Sequence, residues 1–177
     1  MNYRKTILHV DDDPQLTRLV AQYLRPLGYE VTSLNDPTQT LRVLSELQHR
    51  LVLLDIEMPK VSGLDLLQQI KHAHGGSQVI MLTGLVSTQT LLQSYRWGAE
   101  FCIFKPMMSV APLLEAVEAV FRKIDHWWSA LEELGKQRRS LEGSGSRPLP
   151  EAAFEVPASQ CVATAGLQEG SAQWTLA

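Results

Sequence analysis

Two short apolar runs in this chain end in carboxylates. Thr6 to Val10 leads into Asp11, Asp12 and Asp13, and Leu51 to Leu54 leads into Asp55. A brief aliphatic run closed by an acid suits a parallel strand buried on both faces, with the acid at its carboxyl end. Ligands of open α/β sheets bind outside that edge. One such strand end is ordinary; it becomes informative when other segments deliver matching chemistry to the same edge.

The rest of the chain repeats the unit of strand and helix. After Thr6 to Val10, Asp13-Pro14 reads as an N-cap with proline at the first helical position. Leu16, Leu19, Val20, Tyr23, Leu24 and Leu27 then recur at helical spacing up to Gly28. Glu30 to Leu34 predicts an outer strand, and Asp36-Pro37 starts a helix carrying Leu41, Leu44 and Leu47. Beyond the Leu51 strand, Ser62 and Asp65 resemble a capping box ahead of Leu66, Leu67 and Ile70. Gly75-Gly76 closes that helix. Val79 to Leu82 predicts a fourth strand ending at Thr83, followed by a helix with Leu91, Leu92 and Tyr95 that stops at Gly98. Phe101 to Phe104 predicts a fifth, ending at Lys105-Pro106, and a last helix starts near Ser109. Strands alternating with helices in this way imply a parallel sheet covered on both sides, because the crossovers are right-handed. The fold class is therefore α/β, a flavodoxin-like doubly wound five-stranded parallel sheet of order 2-1-3-4-5 with an extended C-terminal helix.

Length and charge narrow the function. The 177 residues can hold one ordinary domain and an appendage. With 16 Lys and Arg against 19 Asp and Glu, no global field favours nucleic acid or membrane. The N-terminus meets three aspartates before any long apolar stretch, and nowhere do about 18 apolar residues run together, the length a spanning helix needs. A cytoplasmic protein is expected. Cys102 and Cys161 sit far apart in unlike settings and read as thiols.

Residues 113–134 carry a second pattern. Leu113, Val117, Val120, Ile124, Trp127, Leu131 and Leu134 alternate at steps of four and three, a seven-residue repeat. Glu118 with Arg122 and Glu132 with Lys136 add favourable i,i+4 pairs. The first half of this helix can pack on the sheet; the second half needs another surface. From Gly143 onward Gly, Ser, Ala, Pro and Gln dominate without periodicity, a composition expected to stay disordered. The expected division is residues 1–124 as the folded domain, 125–141 as a helical extension able to form a coiled coil, and 142–177 as a disordered tail in which Phe154 and Trp174 have no role.

In the strand order above, strands one, three, four and five are neighbours. Asp11 and Asp12, Asp55, Thr83 and Lys105 then meet in one crevice. Three close carboxylates cannot all stay ionised unaided, so either a pKa rises or a cation binds. Oxygen ligands at an exposed edge, without cysteine or spaced histidines, favour Mg²⁺ that keeps several waters. A carboxylate beside Mg²⁺ is a competent nucleophile toward phosphorus, while a lysine and a hydroxyl balance charge on the transferring group. The chemistry expected is phosphoryl transfer to an aspartate. Asp13 reads as a helix cap, and His9, within a central strand, as a satisfied core residue.

VDDDP, LLDIEMPKVSGLDLL, VIMLTG and WGAEFCIFKP lie in the order and at the spacing of the receiver domain of bacterial two-component response regulators, which residues 4–124 resemble. The resemblance implies that Asp55 is the phosphoacceptor. It implies that Asp12 ligates Mg²⁺ directly, together with Asp55 and the backbone carbonyl of Glu57, and that Asp11 does so through water. Thr83 and Lys105 would contact the phosphoryl group, and Lys105-Pro106 would be a cis peptide. Receivers place an aromatic switch residue three positions before the lysine; here it is Cys102. Phe101 cannot replace it, because neighbouring strand residues face opposite ways.

The implied protein is a regulatory phosphoacceptor rather than an enzyme with turnover, charged by a histidine kinase or phosphotransfer protein. Its output is expected through protein contacts, with Trp127, Trp128, Leu131 and Leu134 pairing in a homodimer, meeting a target helix or folding back as a lid. Glu57 and Leu85 flank the expected water path and could tune the lifetime of the phosphorylated state. The alternatives are a phosphorelay intermediate that shuttles phosphate and, less well matched, an aspartyl-nucleophile phosphohydrolase. The latter is expected to carry Asp-x-Asp and its own loop, whereas here Pro14 opens a helix. Lys136, Arg138 and Arg139 at a helix end complement its dipole and give no DNA footprint.

Overall fold

In a computed structural model of the chain, the structure describes residues 3–84, 87–105 and 109–143, with side chains described up to Arg139. The first of two compact units, Met1–Lys136, carries the sheet. Of the second, Gln137–Ala177, the described residues are helical.

Five strands run β1 Thr6–Val10, β2 Glu30–Leu34, β3 Leu51–Asp55, β4 Gln78–Thr83 and β5 Phe101–Phe104. They pair in the order β2-β1-β3-β4-β5, and every pair is parallel. The helices are α1 Pro14–Leu24, α2 Thr40–Leu47, α3 Gly63–Ala73, α4 Thr88–Arg96 and α5 Ala111–Gly143. The doubly wound fold read from the alternation is the fold observed, long last helix included.

Strand alternation sorts the core into two layers. Ile7, Leu51, Leu53, Ile80 and Leu82 join Val20 and Leu24 of α1 and Leu113, Val117, Val120 and Phe121 of α5. Leu8, Val10, Val52, Leu54, Val79 and Met81 join Leu44 of α2 and Leu66, Leu67 and Ile70 of α3. All of β3 and β4 is buried, which is why both read as unbroken apolar runs rather than alternating ones.

The caps explain where the helices start. The Asp13 side chain accepts from the Gln15 amide at 2.8 Å, with Pro14 at the first helical position. Ser62 accepts from the Leu64 amide, and Ser109 from the Ala111 amide. The second helix starts later than expected: Asp36-Pro37 opens a single 3-10 turn, Pro37–Gln39, and α2 proper begins at Thr40. The first ends earlier, at Leu24, and a 3-10 turn carries the chain to Gly28 in the left-handed region.

The helical spacing overstated some packed faces. Leu19, Tyr23 and Leu27 are exposed, as are Leu47, Leu92 and Tyr95, leaving Ser94 as the buried residue of α4. A stripe of leucines fixes the helical period but not which of its edges meets the sheet.

Along α5 the heptad positions divide. Leu113, Val117, Val120 and Ile124 are buried, whereas Trp127, Leu131 and Leu134 are 53%, 58% and 60% exposed. Trp128 leaves that exposed group: it is half-buried against the first core layer, and its ring lies under the Arg50 guanidinium at 5.6 Å. The other three lie exposed on the helix surface in this structure. Glu118 and Arg122 form the expected ion pair at 3.6 Å, and Lys136 lies 3.9 Å from Glu133. The Lys105-Pro106 peptide, Leu85, Cys161 and the residues of the tail beyond Gly143 lie outside the described residues.

Candidate functional site

The carboxyl ends of β1, β3, β4 and β5 deliver the predicted groups to one edge. Ligand oxygens of Asp11, Asp12 and Asp55 all lie within 4.8 Å of one another, Asp11 and Asp55 buried and Asp12 exposed. Lys105, just past β5, reaches across the edge and places its Nζ 2.7 Å from Asp11 Oδ2 and 2.9 Å from Asp55 Oδ1. One cation therefore bridges two buried acids 94 and 50 residues away in the chain.

Each acid is held by its own loop. Asp11 Oδ1 accepts from the Asp13 amide at 2.9 Å, and the Asp11 carbonyl accepts from Asn35 Nδ2 at 2.7 Å. Asp55 Oδ1 accepts from the Ile56 amide at 2.9 Å. The register pairs Asp55 with Leu82, so Thr83 stands one residue further along the neighbouring strand, where its carbonyl accepts from the Lys105 amide at 2.7 Å. Glu57 follows in the exposed loop after β3.

The electrostatics follow from that crowding. Burial pushes the Asp55 carboxyl above its ordinary range; the hydrogen bond and charge of Lys105 pull the other way without reversing it, and Asp11 adds to the rise. For Lys105 burial opposes the charge, but bonding to Asp11 and Asp55 outweighs it and the pKa is raised. A negative cluster balanced by one ammonium, with an exposed third carboxylate, has room for more positive charge. Its donors are all oxygens, a set that fits Mg²⁺ rather than a thiophilic metal.

Cys102 lies in register with Met81 and packs against the second core layer, whereas Phe101 and Ile103 pack against the first. The alternation argument therefore holds for Phe101, which faces the layer opposite to that of Cys102. Burial raises its thiol pKa, opposed by a hydrogen bond with Ser94.

Three features were not read from the sequence. Gly63, first residue of α3, has no room for a side chain, since an added Cβ would overlap the Asp55 carbonyl oxygen. Its amide donates to the Ile56 carbonyl at 3.0 Å, closing the loop after β3. The signal was present as the Gly in SGLDLL, but it passes for an ordinary helix start. Asn35, beyond β2, braces the β1 loop as described, a contact no local pattern encodes. His9 is wholly buried as expected but not satisfied: neither ring nitrogen has a hydrogen-bond partner among the described residues.

Known proteins match this chain in sequence and in fold. A family model described as the response regulator receiver domain matches residues 7–118. A CheY-like response regulator receiver domain protein from Methanospirillum hungatei matches with a TM-score of 0.65 and 30% identity, over 70% of this chain and 99% of that one. The response regulator protein TrrA from Thermotoga maritima, solved in complex with Mg²⁺ and BeF, matches with a TM-score of 0.60 and 31% identity, over 66% and 98% of the two chains. The DNA-binding response regulator MtrA of Mycobacterium tuberculosis is 34% identical over 122 residues, 69% of this chain and 53% of its own. The chain spans about half the length of the curated relatives it matches. By the match over residues 7–118, and by the acid cluster and lysine at its sheet edge, this chain belongs to the response regulator receiver domain family.

Proposed function

We propose that Asp55 accepts a phosphoryl group from a histidine kinase or phosphotransfer protein, in the cytoplasm, and that the chain acts as a regulatory phosphoacceptor. The observation that carries this reading is the Lys105 bridge to Asp11 and Asp55 beside an all-oxygen cluster. An Asp55 oxygen attacks phosphorus as the bond from phosphorus to the donor imidazole nitrogen breaks, and the imidazole departs with its electron pair. Asp12, Asp55 and the Glu57 carbonyl would hold Mg²⁺ directly, and Asp11 through water. When bound, the ion supplies positive charge to the phosphoryl oxygens. Lys105 orients Asp55 and supplies its ammonium to the same oxygens, while the Thr83 hydroxyl donates to one of them. Beryllofluoride with Mg²⁺ tests the site: saturable binding by the wild type and none by Asp55→Asn is expected, and equal binding by both would refute the assignment.

The new group brings about 1.5 to 2 negative charges to the sheet edge, enough to bias a two-state surface. We assign the output to protein contacts, with residues 1–124 as the receiver and the exposed Trp127, Leu131 and Leu134 of the extension meeting a second copy or a target helix. Cys102, at the position usually held by the aromatic switch, transmits the change without a swinging ring. Light scattering of the full chain against one ending at Lys123 tests the dimer; monomers of both at every concentration would remove it. The DNA binding in the relatives' names belongs to proteins of which the match with this chain covers only about half, and no DNA contact is assigned to residues 3–139.

A further inference from the structure

His9 is a buried titratable side chain for which phosphoryl transfer, as described above, has no use. It sits one residue before the end of β1, flanked in register by Ser33 and Leu53, at 0% exposure. Both ring nitrogens lack a hydrogen-bond partner among the described residues, which is costly in a core where a valine would pack. Nε2 lies 3.9 Å from Asp11 Oδ2, just outside hydrogen-bond range. That oxygen is the one that accepts from Lys105 Nζ at 2.7 Å, while the other oxygen of Asp11 is held by the Asp13 amide.

We infer that His9 is a positioning residue that receives the Asp11 carboxylate when Lys105 turns from Asp11 to a phosphoryl group on Asp55. The inference rests on the reading of Asp55 as phosphoacceptor. In the unphosphorylated protein the Lys105 ammonium is shared between Asp11 and Asp55. Phosphoryl transfer from the donor imidazole to Asp55 replaces one carboxylate charge with a phosphoryl group of higher charge, and the ammonium follows. Asp11 Oδ2, in a residue only 1% exposed, then loses its lysine. A small rotation of the carboxylate or the imidazole brings it onto Nε2–H, and a neutral ring suffices as donor. Burial pulls the His9 pKa down to about 4, which keeps the ring neutral in this structure. His9 thus waits unpartnered in one state and is satisfied in the other, which favours the phosphorylated one.

The test is nitrogen-15 NMR of the histidine side chains in the full chain, with and without Mg²⁺ and beryllofluoride, the His9 signal being assigned by its loss in His9→Gln. Fluorine NMR of bound beryllofluoride runs alongside. Expected are a bound fluorine signal and a His9 Nε2–H that moves into a hydrogen bond. His9→Val should weaken beryllofluoride binding about tenfold, while its melting temperature without metal stays level or rises. His9→Gln, which keeps an N–H donor, should recover most of the affinity. A bound fluorine signal with an unmoved His9 ring overturns the inference and leaves the phosphoacceptor reading standing. No bound fluorine signal in the wild type overturns both.

Discussion

Asp55 is held in an uncomfortable place, and that discomfort can be measured. Its pKa is raised chiefly by burial, so the folded state binds its proton more tightly than the unfolded chain does. The Asp55 contribution to stability is then complete below the unfolded carboxylate pKa and is lost as pH rises through the higher folded value. Asp55→Asn should therefore match the wild type in acid and melt at a higher temperature at neutral pH in metal-free buffer. Added Mg²⁺ should narrow the gap by stabilising only the wild type. Equal melting temperatures at neutral pH would contradict the assigned cause. Gly63 is the reverse case, a residue whose role is to be absent: Gly63→Ala must push the Asp55 carbonyl aside. A loss of about 2 kcal/mol or more in denaturant unfolding, with weakened beryllofluoride binding, is expected. Asp11, Asp12, Asp55, Thr83 and Lys105 were legible because each closes an apolar run. Gly63, Asn35 and the missing partners of His9 were not, since they depend on three-dimensional neighbours rather than on position in a strand.

Helix α5 shows what a periodic pattern can and cannot say. One heptad repeat covers residues 113–134, yet the structure buries its first four members and exposes Trp127, Leu131 and Leu134. The sequence specifies the stripe; only the extent of the sheet decides where its cover ends. Trp128, next to the stripe, packs against the core and the Arg50 guanidinium because it stands four residues after Ile124 and seven after Phe121, on the buried face of the helix. The two halves should answer differently to the same change. Leu113→Ala should cost about 2–5 kcal/mol by opening a cavity. Leu134→Ala should stay within about 0.5 kcal/mol of wild type in a monomer at low concentration. Chemical denaturation of both variants checks this, and a large loss from Leu134→Ala at low concentration would mean that the face is already covered. In α4 the same limit appears in another form: Leu92 and Tyr95 read as a packed face and are exposed.

At the scale of the molecule, strand order does most of the explaining. Placing β1 between β2 and β3, and β4 and β5 beyond, lines up four strand ends whose residues are far apart in the chain. Alternation of strand and helix was enough to read the doubly wound parallel sheet, and the order 2-1-3-4-5 was the expectation chosen among the few that right-handed crossovers allow. The buried acids and their shared lysine then follow from the order, and the receiver family from both. Intact-mass analysis after incubation with acetyl phosphate and Mg²⁺ tests this most directly. The wild type should gain one acid-stable, base-labile phosphoryl group and Asp55→Asn none; labelling of Asp55→Asn to the wild-type extent would contradict the assignment of the site.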